Sequence, residues 1–233
     1  MSTSAQRRLR LAGILLEKLL RPRIDALVPT LHDDDTDLPY WLQFATVVAQ
    51  TLDAVPLDRA LTLIGHSGAG PLLPAIGRRA RRRIGAYVFV DAGLPLDGRS
   101  YLDGMEASHP TVAAQLRQHL AAGSRFPEWS EEDLRDALPD ERLRREMVAE
   151  LHPRSLAFFE EPIPGFAHGP DAPCGYLKFG ESYAPEAEHV QRAGWPYREI
   201  AAGHFHMLVD PAGVTTAIID LAQTGRHGAR STR

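Results

Sequence analysis

Two patterns of apolar positions alternate along this chain. Nearly continuous apolar runs at residues 24–31, 60–64 and 84–91 read as strands, and a strand-like rhythm returns at 175–179 and 197–201. Helices are predicted over residues 39–52, from 71 onward, over 185–193 and over 211–222. Near the start, Leu9, Ala12, Leu16, Leu19 and Leu20 recur at helical spacing, as on an amphipathic helix. Strands that alternate with helices pair in parallel, and strands covered on both faces need not alternate in polarity. The expected fold class is therefore α/β: a mostly parallel sheet with helices on both faces.

Between residues 93 and 173 the rhythm changes. No buried strand is evident, while residues 112–120 and 140–151 form helical patches. This stretch reads as an inserted helical cap. The predicted organisation is a core made of residues 1–94 and 174–222, a cap over 95–173, and a polar, arginine-rich tail at 223–233 expected to be disordered.

The strand predicted at 60–64 runs into LTLIGHSGAG, an apolar segment that ends abruptly in a serine flanked by small residues. A serine on a sharp strand-to-helix turn sits in a strained backbone conformation, so Gly65 and Ala69 must be small for the turn to close. Ser67 is the candidate nucleophile. The alternative is a glycine-rich turn that merely packs tightly. A serine hydroxyl needs a base, and Gly203-His204-Phe205-His206 supplies histidines between the last predicted strand and the closing helix. His204 is the preferred base and His206 the alternative. The His-x-His pair lacks a third ligand at suggestive spacing, so no metal is expected.

With 233 residues, 44% of them hydrophobic, the chain is long enough for one substantial core. A formal charge of -4 gives no general attraction to nucleic acid or to an anionic membrane, and no run is long enough to span a bilayer. A small-molecule substrate fits better. Cys174 is the single cysteine, so no intramolecular disulfide is possible, and a cytoplasmic location is expected. The N-terminal segment resembles a signal peptide only superficially, because Glu17 and Lys18 interrupt it. The run RRARRR at 78–83 reads as a solvated helix C-terminus, with docking of an acyl carrier protein as the alternative. His32 and the aspartates at 33–35 read as a solvated loop rather than a cation site.

Taken together, GHSGAG, a strand ending in FVDAGLP, a helical insertion and AGHFHMLVDP resemble the α/β-hydrolase superfamily, in the form of a small capped serine hydrolase shortened at its N-terminus and reduced in strand count. The resemblance implies the chain order nucleophile, acid, histidine. It offers two places for the acid. Asp91, one strand after the nucleophile, is preferred, with a helix or loop cap as its bland reading. Glu181 is the alternative, in Gly180-Glu181-Ser182-Tyr183, where tyrosine stands at the position of the usual aspartate. Gly68 would supply one backbone amide to an oxyanion hole; the strand and loop that normally supply the second have no counterpart here, unless residues 24–31 fill that slot. Candidate pocket residues are His66, Trp129, Phe158, Phe159 and His206, with Glu160 and Glu161 assigned to the cap. The implied activity is hydrolysis of an ester, thioester or lactone in a mainly apolar small molecule, without a cofactor. A lyase using the same Ser-His dyad, and a non-catalytic binder, are the alternatives. Oligomeric state is left open.

Overall fold

The computed structural model describes residues 26–31, 37–53, 55–56 and 58–228. Among the described residues the helix α1, Tyr40–Leu52, comes first, followed by strand β1, Leu61–Ser67. A single 3-10 turn, Gly70–Leu72, leads into α2, Leu73–Ala80, and then strand β2, Ile84–Ala92. Four helices follow: α3, Tyr101–Ser108; α4, Pro110–Ala121; α5, Glu141–Glu150; and α6, Leu156–Glu160. The chain returns through β3, Cys174–Lys178, a 3-10 turn at Glu181–Tyr183, α7, Ala184–Arg192, and β4, Tyr197–Glu199. It closes with α8, His206–Val209, and α9, Pro211–Gly228.

Among the described residues the four strands form one parallel sheet in the order β1-β2-β3-β4. Side chains alternate between the two faces of a strand, and β2 and β3 show where they go. Tyr87, Phe89 and Tyr176 enter one core with Phe44, Ala45 and Val48 of α1, Leu73 and Ile76 of α2, and Val190 of α7. Val88, Val90 and Leu177 enter a second core with Met207, Val214, Ile218 and Leu221 from α8 and α9. Both faces are thus apolar. That is why the predicted strands read as continuous apolar runs rather than as alternating ones. A third, smaller cluster of Leu102, Leu120 and Phe159 holds α3, α4 and α6 together, while α5 packs on the second core through Leu143, Met147 and Val148.

Local chemistry sets the ends of these elements. Ser100 and Asp103 form a capping box at the start of α3, with Asp103 N–H donating to Ser100 Oγ at 3.1 Å and Ser100 N–H to the Asp103 carboxylate at 2.8 Å. Asp140 caps α5 with a single bond, its carboxylate accepting from Leu143 N–H at 3.0 Å. Helix α1 has no capping side chain of its own, since Pro39 precedes it; Glu161 instead accepts the Tyr40 and Trp41 amides, each at 2.9 Å. A carboxylate from the inserted helices therefore satisfies the N-terminus of a core helix.

Two expectations are corrected. Residues 26–31 form no strand; Leu31 lies against the first core while Leu27 is exposed, and Ile24 and Asp25 lie outside the described residues. The closing helix passes residue 222 and continues to Gly228, with Leu221 and Ala222 packed into the second core before its last turns. The arginine run is the solvated helix end that was expected, with Arg78, Arg79, Arg81 and Arg83 exposed, and it also ties neighbouring loops: Arg78 donates to the Gly165 carbonyl at 2.7 Å, Arg79 to Thr46, and Arg82 to the carbonyls of Leu52, Val55 and Pro56. The helix predicted around residues 9–20, the loop at 32–36 and the tail at 229–233 lie outside the described residues.

Candidate active site

Ser67 is the last residue of β1, and its φ of 55° places a non-glycine residue in the left-handed region. Such a conformation costs of order 1–3 kcal/mol and persists only where the surroundings enforce it. Here they do. The Ala69 amide donates back to the His66 carbonyl at 3.0 Å, folding the chain sharply from strand to helix. A Cβ on Gly65 would sit 3.0 Å from the Ala69 backbone, and one on Gly70 would sit 2.3 Å from the Gly93 carbonyl oxygen. Glycine at both positions lets the turn close and lets the following helix rest on the end of β2.

The end of β2 is irregular in a matching way. His66 pairs with Val90 but Ser67 pairs with Ala92, so Asp91 is an extra residue in the ladder, and its φ is 41°. A bulge of this kind re-aims the side chain it carries. The carboxylate of Asp91 is wholly buried, with Oδ1 accepting the Phe179 amide at 2.9 Å and Oδ2 lying 2.7 Å from His204 Nδ1. Tyr176 secures the same bulge from β3, donating to the Ala92 carbonyl at 2.7 Å and accepting the Ala92 amide at 3.2 Å.

His204 arrives from the loop before α8. Its Nδ1–H donates to Asp91, which leaves Nε2 as an acceptor 3.0 Å from Ser67 Oγ. Ser67, His204 and Asp91 therefore form one hydrogen-bonded chain, running from a partly exposed hydroxyl to a carboxylate sealed in the core. Glu181 is elsewhere. Its carboxylate accepts from Lys178 Nζ at 2.9 Å and points into solvent, because the Lys178 ammonium also binds Glu199 and draws both carboxylates to the edge of the sheet.

His66 lies behind the pair rather than in a pocket wall. Its Nε2–H donates to the His204 carbonyl at 3.0 Å, and its ring packs on the His204 ring with centroids 4.4 Å apart. Burial, reinforced by repulsion from His204, pushes its pKa down to about 3. It is a neutral donor that holds the backbone of His204. His206 starts α8 with its ring edge against Phe179. The two histidines of His-x-His therefore diverge, and among the described residues no group of three or more His, Cys, Asp or Glu side chains is placed to hold a metal ion.

The aromatic residues divide. Phe159 belongs to the core of the inserted helices, which is a correction to its expected place over the serine. Phe158 packs against Tyr40 and Phe44 and stacks on Tyr101 at 5.2 Å, and the Tyr101 hydroxyl donates to the Gly68 carbonyl at 2.8 Å. That contact fixes the peptide between Gly68 and Ala69, one residue past the serine. Trp129 meets Phe205 edge to face at 5.5 Å, and Phe205 meets His204 at 5.0 Å. Glu160 pairs with Arg117 on the surface of the inserted helices, while Glu161 caps α1.

One residue beside the serine escaped the sequence reading. The Tyr183 hydroxyl lies 3.3 Å from Ser67 Oγ, and its ring stacks on His204 at 5.7 Å and 26°. Its one signal in the sequence was its position, where the resemblance puts an aspartate. Burial raises its pKa above that of an ordinary tyrosine, so it is a protonated donor. Cys174 is no rival nucleophile: its thiol is buried and pushed up to about 12 by that burial.

No protein-family model matches the sequence, and no curated protein matches it. Solved structures do match. An extracellular α/β-hydrolase from a Paenibacillus species, described as sharing structural and functional homology with tobacco salicylic acid binding protein 2, is 19% identical with a TM-score of 0.68 over 90% of this chain and 93% of that one. A histidine-to-alanine variant of polyneuridine aldehyde esterase is 17% identical, with a TM-score of 0.64 over 90% and 94%. A variant of tomato methylketone synthase I complexed with β-ketoheptanoate is 12% identical, with a TM-score of 0.65 over 91% and 93%. The parallel sheet, the strained serine turn at the end of β1 and this overlap along nine-tenths of the chain give the protein an α/β-hydrolase fold.

Proposed function

We propose that this protein is a serine hydrolase that cleaves an ester, thioester or lactone in a mainly apolar small molecule through an acyl-enzyme on Ser67. The observation that carries this reading is the unbroken chain from Ser67 Oγ through His204 to the buried Asp91 carboxylate. His204 Nε2 takes the proton of Ser67 as Oγ attacks the carbonyl carbon, and Asp91 stabilises the imidazolium that forms. The Gly68 amide follows the nucleophile on the turn and faces the developing oxyanion. Collapse returns the proton from His204 to the leaving group. Water then repeats the sequence and frees the acid. The helices between β2 and β3 act as a cap over the serine, through Tyr101 on the Gly68 carbonyl and Trp129 beside Phe205.

A fluorophosphonate probe tests this directly: Ser67 is expected to gain the mass of the adduct, and Ser67→Ala to lose both labelling and turnover. An unlabelled wild-type protein would refute the acyl-enzyme. A second reading, proton abstraction in a lyase-type reaction, is favoured by one observation, the likeness to methylketone synthase I. Turnover in isotopically labelled water separates the two, since hydrolysis places solvent oxygen in the acid product and elimination does not.

A further inference from the structure

We propose that the Tyr183 hydroxyl is a catalytic hydrogen-bond donor to the oxyanion formed when Ser67 attacks a carbonyl, an inference that rests on the acyl-enzyme reading above. In the resting site Ser67 donates its proton to His204 Nε2, so the contact between Tyr183 Oη and Ser67 Oγ runs with tyrosine as donor. Its length of 3.3 Å is long for two hydroxyl groups, which prefer about 2.7–2.8 Å. The phenol is therefore weakly bonded before the reaction. A stronger acceptor placed nearby gains from it what the resting state does not, and only such a difference accelerates a reaction.

The reaction supplies that acceptor. The Ser67 O–H bond breaks with its proton passing to His204 Nε2, the Oγ–C bond forms, and the carbonyl π pair moves onto the substrate oxygen. That oxygen is bonded to the same carbon as Oγ, so a donor already in contact with Oγ is one small rotation from it. An effective donor sits about 2.7–3.1 Å from the oxyanion. The phenol O–H stays intact throughout. When the adduct collapses, the pair returns to the carbonyl, the bond to the leaving group breaks, and the proton held by His204 leaves with it.

The hydroxyl is also held in place before substrate arrives. Tyr183 ends a 3-10 turn between β3 and α7. On one side the Ser182 carbonyl accepts from His109 Nε2 at 2.9 Å, which ties the turn to the junction of α3 and α4. On the other, Lys178 binds Glu181. The ring lies against His204, so it cannot swing away without leaving that stack. With the ring fixed in advance, only the small turn of the O–H toward the oxyanion is left to the reaction, and such hydrogen bonds matter most where reorganisation is small.

Tyr183→Phe keeps the ring and its stacking but removes the O–H. With p-nitrophenyl butyrate as substrate, kcat is expected to fall by about 10²–10³ with KM nearly unchanged, the range for loss of one oxyanion donor. Affinity for a trifluoromethyl ketone, which forms a tetrahedral adduct on the serine, should fall by the same factor, while the melting temperature stays at the wild-type value. Tyr183→Phe with wild-type kcat and wild-type ketone affinity would overturn the proposal yet leave the hydrolase reading standing, provided Ser67 still takes a fluorophosphonate. A fall in kcat without a matching loss of ketone affinity would also overturn it, assigning Tyr183 to the positioning of His204. Wild-type protein that neither labels nor turns over would overturn both.

Discussion

Replacing Asp91 by asparagine separates geometry from charge at the base of the hydrogen-bonded chain. The asparagine amide has two orientations. With its oxygen on the Phe179 amide, which Asp91 Oδ1 now accepts at 2.9 Å, its NH₂ group faces His204 Nδ1. The opposite orientation sets NH₂ against N–H inside a fully buried site, which leaves donors unsatisfied at a cost of about 1–3 kcal/mol. The first orientation therefore prevails, and it forces the proton of His204 onto Nε2. In that tautomer the imidazole donates toward Ser67 and cannot take its proton. The loss expected from a wrong tautomer is about 10⁴ in kcat, or about 5.4 kcal/mol of transition-state stabilisation. Folding should survive, since removing a buried charge together with its desolvation offsets the weaker hydrogen bonds. The assay is kcat on p-nitrophenyl butyrate beside a thermal melt of the same sample. A folded Asp91→Asn protein that keeps more than about a tenth of wild-type kcat would refute the reasoning, because only a tautomer-neutral role for Asp91 allows it.

Two further outcomes follow from strain and burial. Ser67→Gly and Ser67→Ala both remove the hydroxyl, but only glycine relieves the φ of 55°, so the glycine variant should be the more stable by about 1–2 kcal/mol in denaturant melts; equal stabilities would show that the turn is unstrained. His66 should make the fold acid-sensitive: its pKa falls to about 3 in the native protein from 6.5 in the unfolded chain, so between those values the unfolded state binds the extra proton, and stability is present above pH 6.5 and lost as pH falls toward 3. His66→Gln keeps a donor without titrating, and its stability should decline less steeply with acid than the wild type over pH 4–7. Parallel declines would refute a neutral histidine held at this position.

The elements most legible in the sequence were those whose local pattern coincides with their tertiary role. The segments 84–91 and 175–179 are apolar because both faces are covered, and β2 and β3 lie there within a residue or two at each end. The turn at Gly65 and Ser67 was legible because glycine is the answer to a backbone clash inside the turn itself. The apolar run at 24–31 misled, since apolarity reports burial and a strand also needs a neighbouring ladder. Phe159 misled for a related reason: an aromatic residue in an insertion has no sequence mark that separates a pocket wall from a small core.

By itself, then, the sequence determined the alternation of strands and helices that flanks the inserted helices from residue 39 onward, the sharp turn that carries Ser67 and the presence of a histidine near the chain's end, because each depends on neighbours close along the chain. The tertiary structure decided which carboxylate meets that histidine. Asp91 and Glu181 both end or follow strands, but only the bulge at Asp91 turns a carboxylate inward to His204, 113 residues away, while Lys178 draws Glu181 outward. It also decided the partner of the serine that no local pattern announced, Tyr183, 116 residues from Ser67. Contacts of that range are set by how the strands align in the sheet, and the ladder register is a property of the packed fold rather than of any segment.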